Sequence, residues 1–204
     1  MEIKLEGGNS VVISTKQGQV LVDPAGQDPK VATNKKTSVV LLTQERLGEG
    51  VKTGEAFVIS EAGEYEVGGV SIKGIVAASH IDAGLESTVF KLSTTTVNIL
   101  ITGHIEGKLS EEQLESIGTI DIMIVPVGGG GYTLDSTGAA GLVRKVEPKV
   151  VIPTHYKMSG VEYEVPQAEV DLFLKELGAS EVETQDKFKV SAELPEKMQV
   201  IRLK

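Results

Sequence analysis

The chain contains no cysteine and no tryptophan, and it has few aromatic residues of any kind. Without cysteine it can form no disulfide, no thiolate metal site and no cysteine nucleophile. Aromatic residues make up 4% of the sequence, which leaves few stacking platforms for bases or sugars. The composition therefore excludes disulfide scaffolds and thiol chemistry, and it is compatible with a reducing compartment.

Basic residues are also in short supply. Lys and Arg total 20 against 29 Asp and Glu, a formal net charge of −9 at pH 7, and no basic block is present. Binding to a phosphate backbone needs a cationic surface, so we expect no nucleic-acid partner. No apolar run approaches the length that crosses a bilayer, and residues 1–5 alternate like a strand rather than resembling a signal peptide. We therefore expect a soluble, cytoplasmic protein without membrane association.

The length and even composition indicate a single domain over residues 1–204. The first half consists of short apolar segments separated by turn residues, and we interpret it as a β-meander with strands at residues 3–5, 11–14, 19–23, 38–43, 56–59, 65–67 and 70–73. From about residue 88, strands alternate with helices, with strands at residues 88–92, 97–101, 120–125 and 150–152, and late strands at 187–190 and 199–203. Helices are predicted at residues 109–117, after Asp135 and after Pro166. The fold class is therefore α/β.

All three histidines, His80, His104 and His155, follow apolar, β-branched segments that predict buried strands. Loops at strand ends are where α/β folds place their ligand sites. Three imidazoles with an open fourth position form a known catalytic zinc arrangement. However, the sequence has no HExxH or paired Cys-x-x-Cys motif, so spacing alone favours three unrelated histidines. Both interpretations stay open at this point.

Other candidate segments carry weaker signals. Residues 128–131 are four glycines between a predicted strand and a helix, where backbone amides can approach an anion, although a plain connecting loop is the simpler interpretation. No G-x-S-x-G elbow is present, which disfavours a serine hydrolase. Four glutamates could act as acids, bases or metal ligands, although most glutamates in so acidic a chain are simply solvated; they are Glu45, Glu49, Glu64 and Glu66.

Five segments follow one another along the chain: LVDP (21–24), VVLLT (39–43), GEYEV (63–67), PVGG (126–129) with YTLD (132–135), and VIPTHY (151–156). In this order they resemble the metallo-β-lactamase superfamily. The resemblance is strongest to the small metal-dependent hydrolases related to ascorbate-phosphate lactonases. The resemblance implies a four-layer αββα sandwich, with the site at the sheet edges between its two halves.

The departures from the family pattern concern the metal ligands. In the family, the residue matching Thr43 is followed by His-x-His-x-Asp-His, which supplies most ligands of a dinuclear site. Here the same stretch is QERLGE (44–49), and Asn9 stands where the group usually has a histidine. His104 follows Gly103 where the family has the bridging carboxylate of a Gly-Asp pair. By resemblance, only His155 and His80, or Asp82 in place of His80, remain at ligand positions. A two-metal mechanism needs both ligand sets and a bridging anion.

We therefore expect a degenerate metallo-β-lactamase-fold protein that has lost dinuclear hydrolysis and retains a binding role or another task. We expect either no cofactor or one weakly bound zinc, and a small molecule as a possible partner. The candidate pocket comprises Asn9, Asp23, Gln44, Glu45, Arg46, Glu49, Glu64, Gly129 and Tyr132.

The alternative is a mononuclear zinc-dependent hydrolase. In it, His80, His104 and His155 hold one zinc whose bound water attacks an ester, a lactone or a phosphodiester.

Arg46 stands where the second histidine of the family motif would be. Its guanidinium keeps its proton at physiological pH, so we predict that it occupies the metal position and supplies a permanent positive charge there. The alternative is that the loop swings outward and leaves Arg46 as a solvated surface residue.

Overall fold

The computed structural model describes residues 1–24, 37–80, 84–179, 182–191 and 193–204. Its strands are β1 (Glu2–Gly7), β2 (Ser10–Ser14), β3 (Gln19–Val22), β4 (Thr37–Leu41), β5 (Phe57–Ile59), β6 (Gly63–Val67), β7 (Val70–Ala78), β8 (Glu86–Ser93), β9 (Asn98–Ile101), β10 (Ile122–Pro126), β11 (Val150–Thr154), β12 (Thr184–Gln185), β13 (Phe188–Lys189), β14 (Gln199–Val200) and β15 (Arg202–Leu203). Its helices are α1 (Glu111–Ile117), α2 (Ser136–Val146), α3 (Val170–Leu177) and a 3₁₀ helix, Glu45–Gly48.

The longer strands form two sheets. The first has six strands in the order β13-β1-β2-β3-β4-β5, and the second has seven in the order β14-β11-β10-β9-β8-β7-β6. Apolar side chains of both sheets belong to one buried cluster, in which Ile13 and Val22 of the first sheet join Phe90 and Ile99 of the second. Two helices, α1 and α2, contact strands β7 and β10 of the second sheet. The architecture is the α/β sandwich expected from the sequence.

The β-meander predicted for the first half is only partly correct. Strands β1, β2 and β3 pair antiparallel, as a meander requires, but β4 pairs parallel to both β3 and β5. A parallel pair needs a crossover connection instead of a hairpin, and short apolar segments with turn residues between them do not encode strand direction. The predicted strands of this half are present, and β7 joins the predicted segment 70–73 to the apolar segment before His80 in one strand that ends at Ala78.

The helix ends follow the local sequence signals. The Ser110 side chain accepts a hydrogen bond from the backbone N–H of Gln113, whose side chain accepts one from Ser110 N–H, so the predicted capping box is confirmed. Asp135 caps α2 through the backbone N–H of Gly138. Gly178 ends α3 in the left-handed conformation that its position predicted.

The strand directions bring several strand ends to one place. Because β9, β10 and β11 are parallel, their carboxyl ends lie along one edge of the second sheet, and those of β3 and β4 lie along one edge of the first. Two backbone hydrogen bonds join these edges: Thr88 N–H donates to Thr43 O at 2.8 Å, and His155 N–H donates to Gly8 O at 2.8 Å. Loops at these ends therefore meet between the sheets, where α/β folds commonly bind ligands.

No helix in the part of the chain that the structure describes is long and apolar enough to cross a membrane.

Candidate functional site

Asp23 is a buried carboxylate at the end of β3, in a left-handed backbone conformation with φ of 38°. Its oxygens accept three hydrogen bonds: from Thr43 N–H at 2.7 Å, from Thr43 Oγ1 at 2.6 Å and from Asn9 Nδ2 at 2.5 Å. Burial raises the pKa of Asp23 to about 6, against the lowering effect of these hydrogen bonds. Asn9 in turn accepts a hydrogen bond from Thr154 Oγ1 of the second sheet at 2.7 Å. Asp23 is thus the centre of a polar network that ties the two sheets together.

Thr43 also lies against the loop that follows β9. A Cβ atom added to Gly103 would lie 2.3 Å from the Thr43 Cβ, and Gly103 has φ of +59°. Only glycine fits at so close an approach and at that φ. This contact places the next residue, His104, beside the end of β4.

The imidazole of His104 is buried inside this junction, with 3% of the residue exposed. Its Nδ1 has no hydrogen-bond partner in the structure. Burial, with smaller contributions from the charges of His155, Arg46 and His80, lowers the pKa of His104 to about 3. His104 is therefore a neutral ring with an unsatisfied nitrogen, a feature that is rare in buried polar groups.

His155 follows β11 and is held in one tautomer. Its Nδ1 lies 3.1 Å from Gln167 Oε1, while Gln167 Nε2 donates to Val165 O at 2.9 Å. The second contact fixes which end of the amide faces His155, so Nδ1 carries the proton and Nε2 keeps its lone pair. Burial lowers the pKa of His155, and the Gln167 contact partly offsets that effect. Its backbone is left-handed, with φ of 49°.

Four rings pack together at this junction, and we refer to His104, Tyr132, His155 and Tyr163 as the aromatic cluster. The ring centroids of His104 and His155 are 5.2 Å apart, with the planes nearly perpendicular at 85°. Tyr132 lies 6.3 Å from His104 and 6.4 Å from His155, and Tyr163 lies 5.1 Å from His155. The Tyr163 hydroxyl donates to Tyr156 O at 2.5 Å, which fixes its ring. These side chains form one contiguous wall.

The segment after β4 contributes Gln44 and Arg46. Gln44 Nε2 donates to Ser79 Oγ at 2.6 Å and to Ser87 Oγ at 3.0 Å, so its amide is bound to the second sheet. Gln44 Oε1 accepts a hydrogen bond from Arg46 Nε at 3.1 Å. The guanidinium carbon of Arg46 lies 5.6 Å from the centroid of the Tyr132 ring, within cation–π range. Arg46 therefore contacts the aromatic cluster at Tyr132, and the residue as a whole is exposed.

A pocket of about 270 Å³ opens between these groups. Its lining residues are Gly8, Asn9, Asp23, Pro24, Arg46, Leu47, Glu49, His104, Tyr132, His155, Val161, Glu162, Tyr163, Glu164 and Gln167. The walls come from the β1–β2 turn, from the ends of β3 and β4, and from the connection between β11 and α3. A concave site with converging polar groups is the usual form of a ligand site.

Seven of the residues proposed from the sequence line this pocket: Asn9, Asp23, Arg46, Glu49, His104, Tyr132 and His155. Gln44 is buried behind it, and Gly129 holds the loop that carries Tyr132, since Tyr132 N–H donates to Gly129 O at 3.1 Å. Glu45 starts the 3₁₀ helix and is exposed outside the pocket lining. His80 lies beside the pocket: its N–H donates to His104 O at 3.0 Å, but its half-buried side chain is not part of the lining. Asp82 lies outside the described residues.

Glu64 does not belong to the pocket that the sequence suggested. It lies on β6, at the opposite edge of the second sheet from β14 and three strands from β9, and it is exposed. Its carboxylate lies 3.7 Å from Lys73 Nζ on the neighbouring strand. The strand order therefore separates Glu64 from the strand ends that build the site.

Sequence reasoning missed the wall formed by the β11–α3 connection, namely Val161, Glu162, Tyr163, Glu164 and Gln167. This stretch follows the last matched motif and has no recognisable pattern of its own. The length of this connection is the sequence feature that could have predicted its role, because a long connection between a strand end and a helix often carries a site.

The donor set does not fit a two-metal centre. Among the residues that the structure describes, no group of three or more His, Asp or Glu side chains is placed to hold a metal ion. The three histidines thus do not assemble as the predicted zinc triad, because His80 stays outside the pocket. The carboxylate of Asp23 already accepts three hydrogen bonds. Two imidazoles are the nitrogen donors that remain at the pocket.

A mixed two-sheet sandwich with a polar pocket between strand ends defines the class of α/β sandwich proteins with a pocket at the sheet edges. The chain matches the family model of the beta-lactamase superfamily domain over residues 2–155. The chain belongs to the metallo-β-lactamase superfamily.

Solved structures agree with this assignment. A protein from Thermotoga maritima, described as a Zn-dependent hydrolase of the superfamily, is 27% identical, with 99% of this chain and 97% of that chain covered and a TM-score of 0.75. A protein from Parabacteroides distasonis, described as a metal-dependent hydrolase, is 16% identical over 98% and 91% of the two chains, with a TM-score of 0.67. A metallo hydrolase from the archaeon Ignicoccus hospitalis is 17% identical over 93% and 99%, with a TM-score of 0.65. The comparison with curated protein sequences finds no match.

Proposed function

We propose that this chain, as one domain over residues 1–204, binds a small molecule in the pocket and does not perform the two-metal hydrolysis of its superfamily. One observation carries the proposal. The segment after β4, which supplies metal ligands in the family pattern, here presents the amide of Gln44 and the guanidinium of Arg46. Neither group replaces an imidazole as a metal donor.

The position of Arg46 supports the same proposal. Its guanidinium faces Tyr132 and lies close enough to His104 to lower the pKa of that ring. A permanent cation at this place repels a divalent ion.

Metal content tests the proposal directly. We expect the purified chain to retain well below one equivalent of zinc or iron after dialysis against a chelator. An Arg46→His variant should bind zinc more tightly than the parent, because it removes a cation and restores an imidazole. Arg144→His, on the exposed face of α2, is the matched control and should leave zinc binding unchanged. About two equivalents of metal on the parent chain would contradict the proposal.

Turnover gives a second measurement. We expect hydrolysis of β-lactam, lactone and phosphodiester substrates at the background rate, because the sequence contains no cysteine and, among the described residues, no serine hydroxyl is hydrogen-bonded to a histidine ring that would replace the metal-activated nucleophile. Metal-dependent hydrolysis that disappears in both His104→Ala and His155→Ala would instead make the chain an enzyme.

A mononuclear zinc hydrolase is a second candidate, and one observation favours it. His104 Nδ1 has no partner, and the Gln167 contact leaves the lone pair of His155 Nε2 available. Zinc would supply Lewis acidity at this place. One equivalent of zinc on the parent chain, lost in both histidine variants, would select this candidate.

A further inference from the structure

The pocket is rich in carboxylates. Among the described residues, four acidic residues line it, Asp23, Glu49, Glu162 and Glu164, together with one basic residue, Arg46. No described residue forms an ion pair with Glu49, Glu162 or Glu164, whereas seven other pairs are present on the described surface. Because both pocket histidines are neutral at pH 7, they do not offset this negative charge. The β11–α3 connection contributes Glu162 and Glu164 but no basic side chain to the described lining, so the electrostatic field beside this connection favours a cation.

The carboxylates do not converge on a single point. No group of three acidic or histidine side chains among the described residues is arranged to hold a metal ion. The four acidic residues instead belong to the lining of a pocket of about 270 Å³. This arrangement suits a polyatomic organic cation more than a single metal ion.

Aromatic faces border the same volume. The guanidinium of Arg46 already lies over the Tyr132 ring, on the side of the pocket formed by the 3₁₀ helix. Tyr163 belongs to the β11–α3 connection, between Glu162 and Glu164 in sequence, and the hydrogen bond to Tyr156 O fixes its ring. An aromatic face beside carboxylates is the arrangement that recognises substituted ammonium groups.

We propose that the pocket binds a small organic cation, whose ammonium group lies beside Tyr163 and the carboxylates of Glu162 and Glu164. The inference deepens the proposed function and rests on it, since it takes the pocket as a binding site without a metal pair. Binding needs no chemical step.

Three probes test the charge preference. Choline is the cation, 3,3-dimethylbutan-1-ol is its neutral isostere, and inorganic phosphate is the anion. The chain has four tyrosines and no tryptophan, so tyrosine fluorescence reports on the aromatic cluster, and NMR signals of the three histidine rings locate the binding. We expect choline to bind about tenfold or more tightly than the isostere, with shifts of the His155 ring signals, and phosphate not to bind.

Variants of the β11–α3 connection provide a second test of the inference. The double variant Glu162→Gln with Glu164→Gln should weaken choline binding about fivefold or more, and Tyr163→Leu should do the same. The matched control is the double variant Glu61→Gln with Glu66→Gln, which removes two exposed carboxylates outside the pocket lining and should change binding less than about twofold.

Several results would overturn the inference: choline binding absent or no tighter than that of the isostere, phosphate binding preferred, or a double loop variant that behaves like its control. Each of these leaves the proposed function to be judged separately by metal content and turnover. Conversely, two bound metal ions would overturn the proposed function whatever choline does.

Discussion

Asp23 and His155 are the two residues on which the site geometry depends most. Both follow a strand directly, and both have left-handed backbones, with φ of 38° and 49°. Such conformations cost about 1 to 3 kcal/mol each in residues other than glycine, and they persist where the surroundings fix them. Here the fixing contacts are the three hydrogen bonds to Asp23 and the two polar contacts of His155, through its N–H and its Nδ1.

The raised pKa of Asp23 predicts a specific pH dependence of stability. Burial raises this pKa from 3.8 to about 6, so between those pH values the folded chain holds a proton that the unfolded chain has released. The free energy of unfolding contributed by Asp23 therefore falls as the pH rises from about 4 to above 6, by about 3 kcal/mol. We expect the stability of the parent chain relative to Asp23→Asn to decrease between pH 4 and pH 7, measured by urea unfolding.

The measured quantity is the difference in free energy of unfolding between the parent chain and Asp23→Asn. Groups other than Asp23 titrate in both chains, so their contributions cancel in this difference. Glu66→Gln, an exposed substitution, serves as the control and should give a nearly constant difference across the same pH range. A constant or rising difference for Asp23→Asn would show that burial does not govern the titration of this carboxyl.

At the scale of elements, the connection between β11 and α3 builds one side of the site. It begins with His155, carries Tyr163, and returns to the strand end through Gln167. The return is tight, because Ala168 N–H donates to Gly128 O at 2.8 Å and a Cβ on Gly128 would lie 2.3 Å from Gln167 Oε1. The loop thus places the Gln167 amide against the His155 ring.

This arrangement predicts the tautomer of His155. In the parent chain we expect the Nδ1–H form to dominate at pH 7, because Gln167 Oε1 accepts that proton. Gln167→Leu should remove the preference for this tautomer and lower the pKa of His155 further, since the Gln167 contact raises it. Long-range ¹H–¹⁵N NMR spectra of the three imidazoles measure both effects.

Gln185→Leu changes the same residue type on the exposed strand β12 and should leave the His155 signals unchanged. If His155 keeps its tautomer in the Gln167 variant, then another group sets the proton position.

At the scale of the whole molecule, the site exists only when the two sheets are packed together. Its polar groups come from both sheets, whose apolar faces share one core. Phe90 is fully buried in that core, whereas Phe57, at the edge of the first sheet, is 51% exposed.

The shared core predicts a large cost for removing Phe90. Phe90→Ala should lower the free energy of unfolding by about 3 to 5 kcal/mol, because it deletes buried apolar surface and leaves a cavity between the sheets. Phe57→Ala is the matched control and should cost less than about 1 kcal/mol. Urea unfolding followed by circular dichroism measures both, and equal costs for the two variants would mean that Phe90 does not join the layers as described.

The sequence by itself determined the local features of this protein. The capping box at Ser110, the cap at Asp135 and the Gly178 helix end were predictable, because each depends on residues at most four positions apart. The segment order also indicated the superfamily, and the altered stretch after Thr43 was visible without coordinates. The strand-end positions of His104 and His155 made one shared site an open interpretation, and the structure places their ring centroids 5.2 Å apart.

Only the tertiary structure decided which of these residues share the pocket. The strand order places Glu64 at a distant edge of the second sheet, and β3 and β4 pair in parallel. The β11–α3 connection places Tyr163 and Gln167 at the site. The tautomer of His155 and the orphaned nitrogen of His104 likewise depend on packing against neighbours far away in sequence. Such contacts depend on how whole elements pack, and residue patterns within one segment carry no information about the neighbour that the segment will meet.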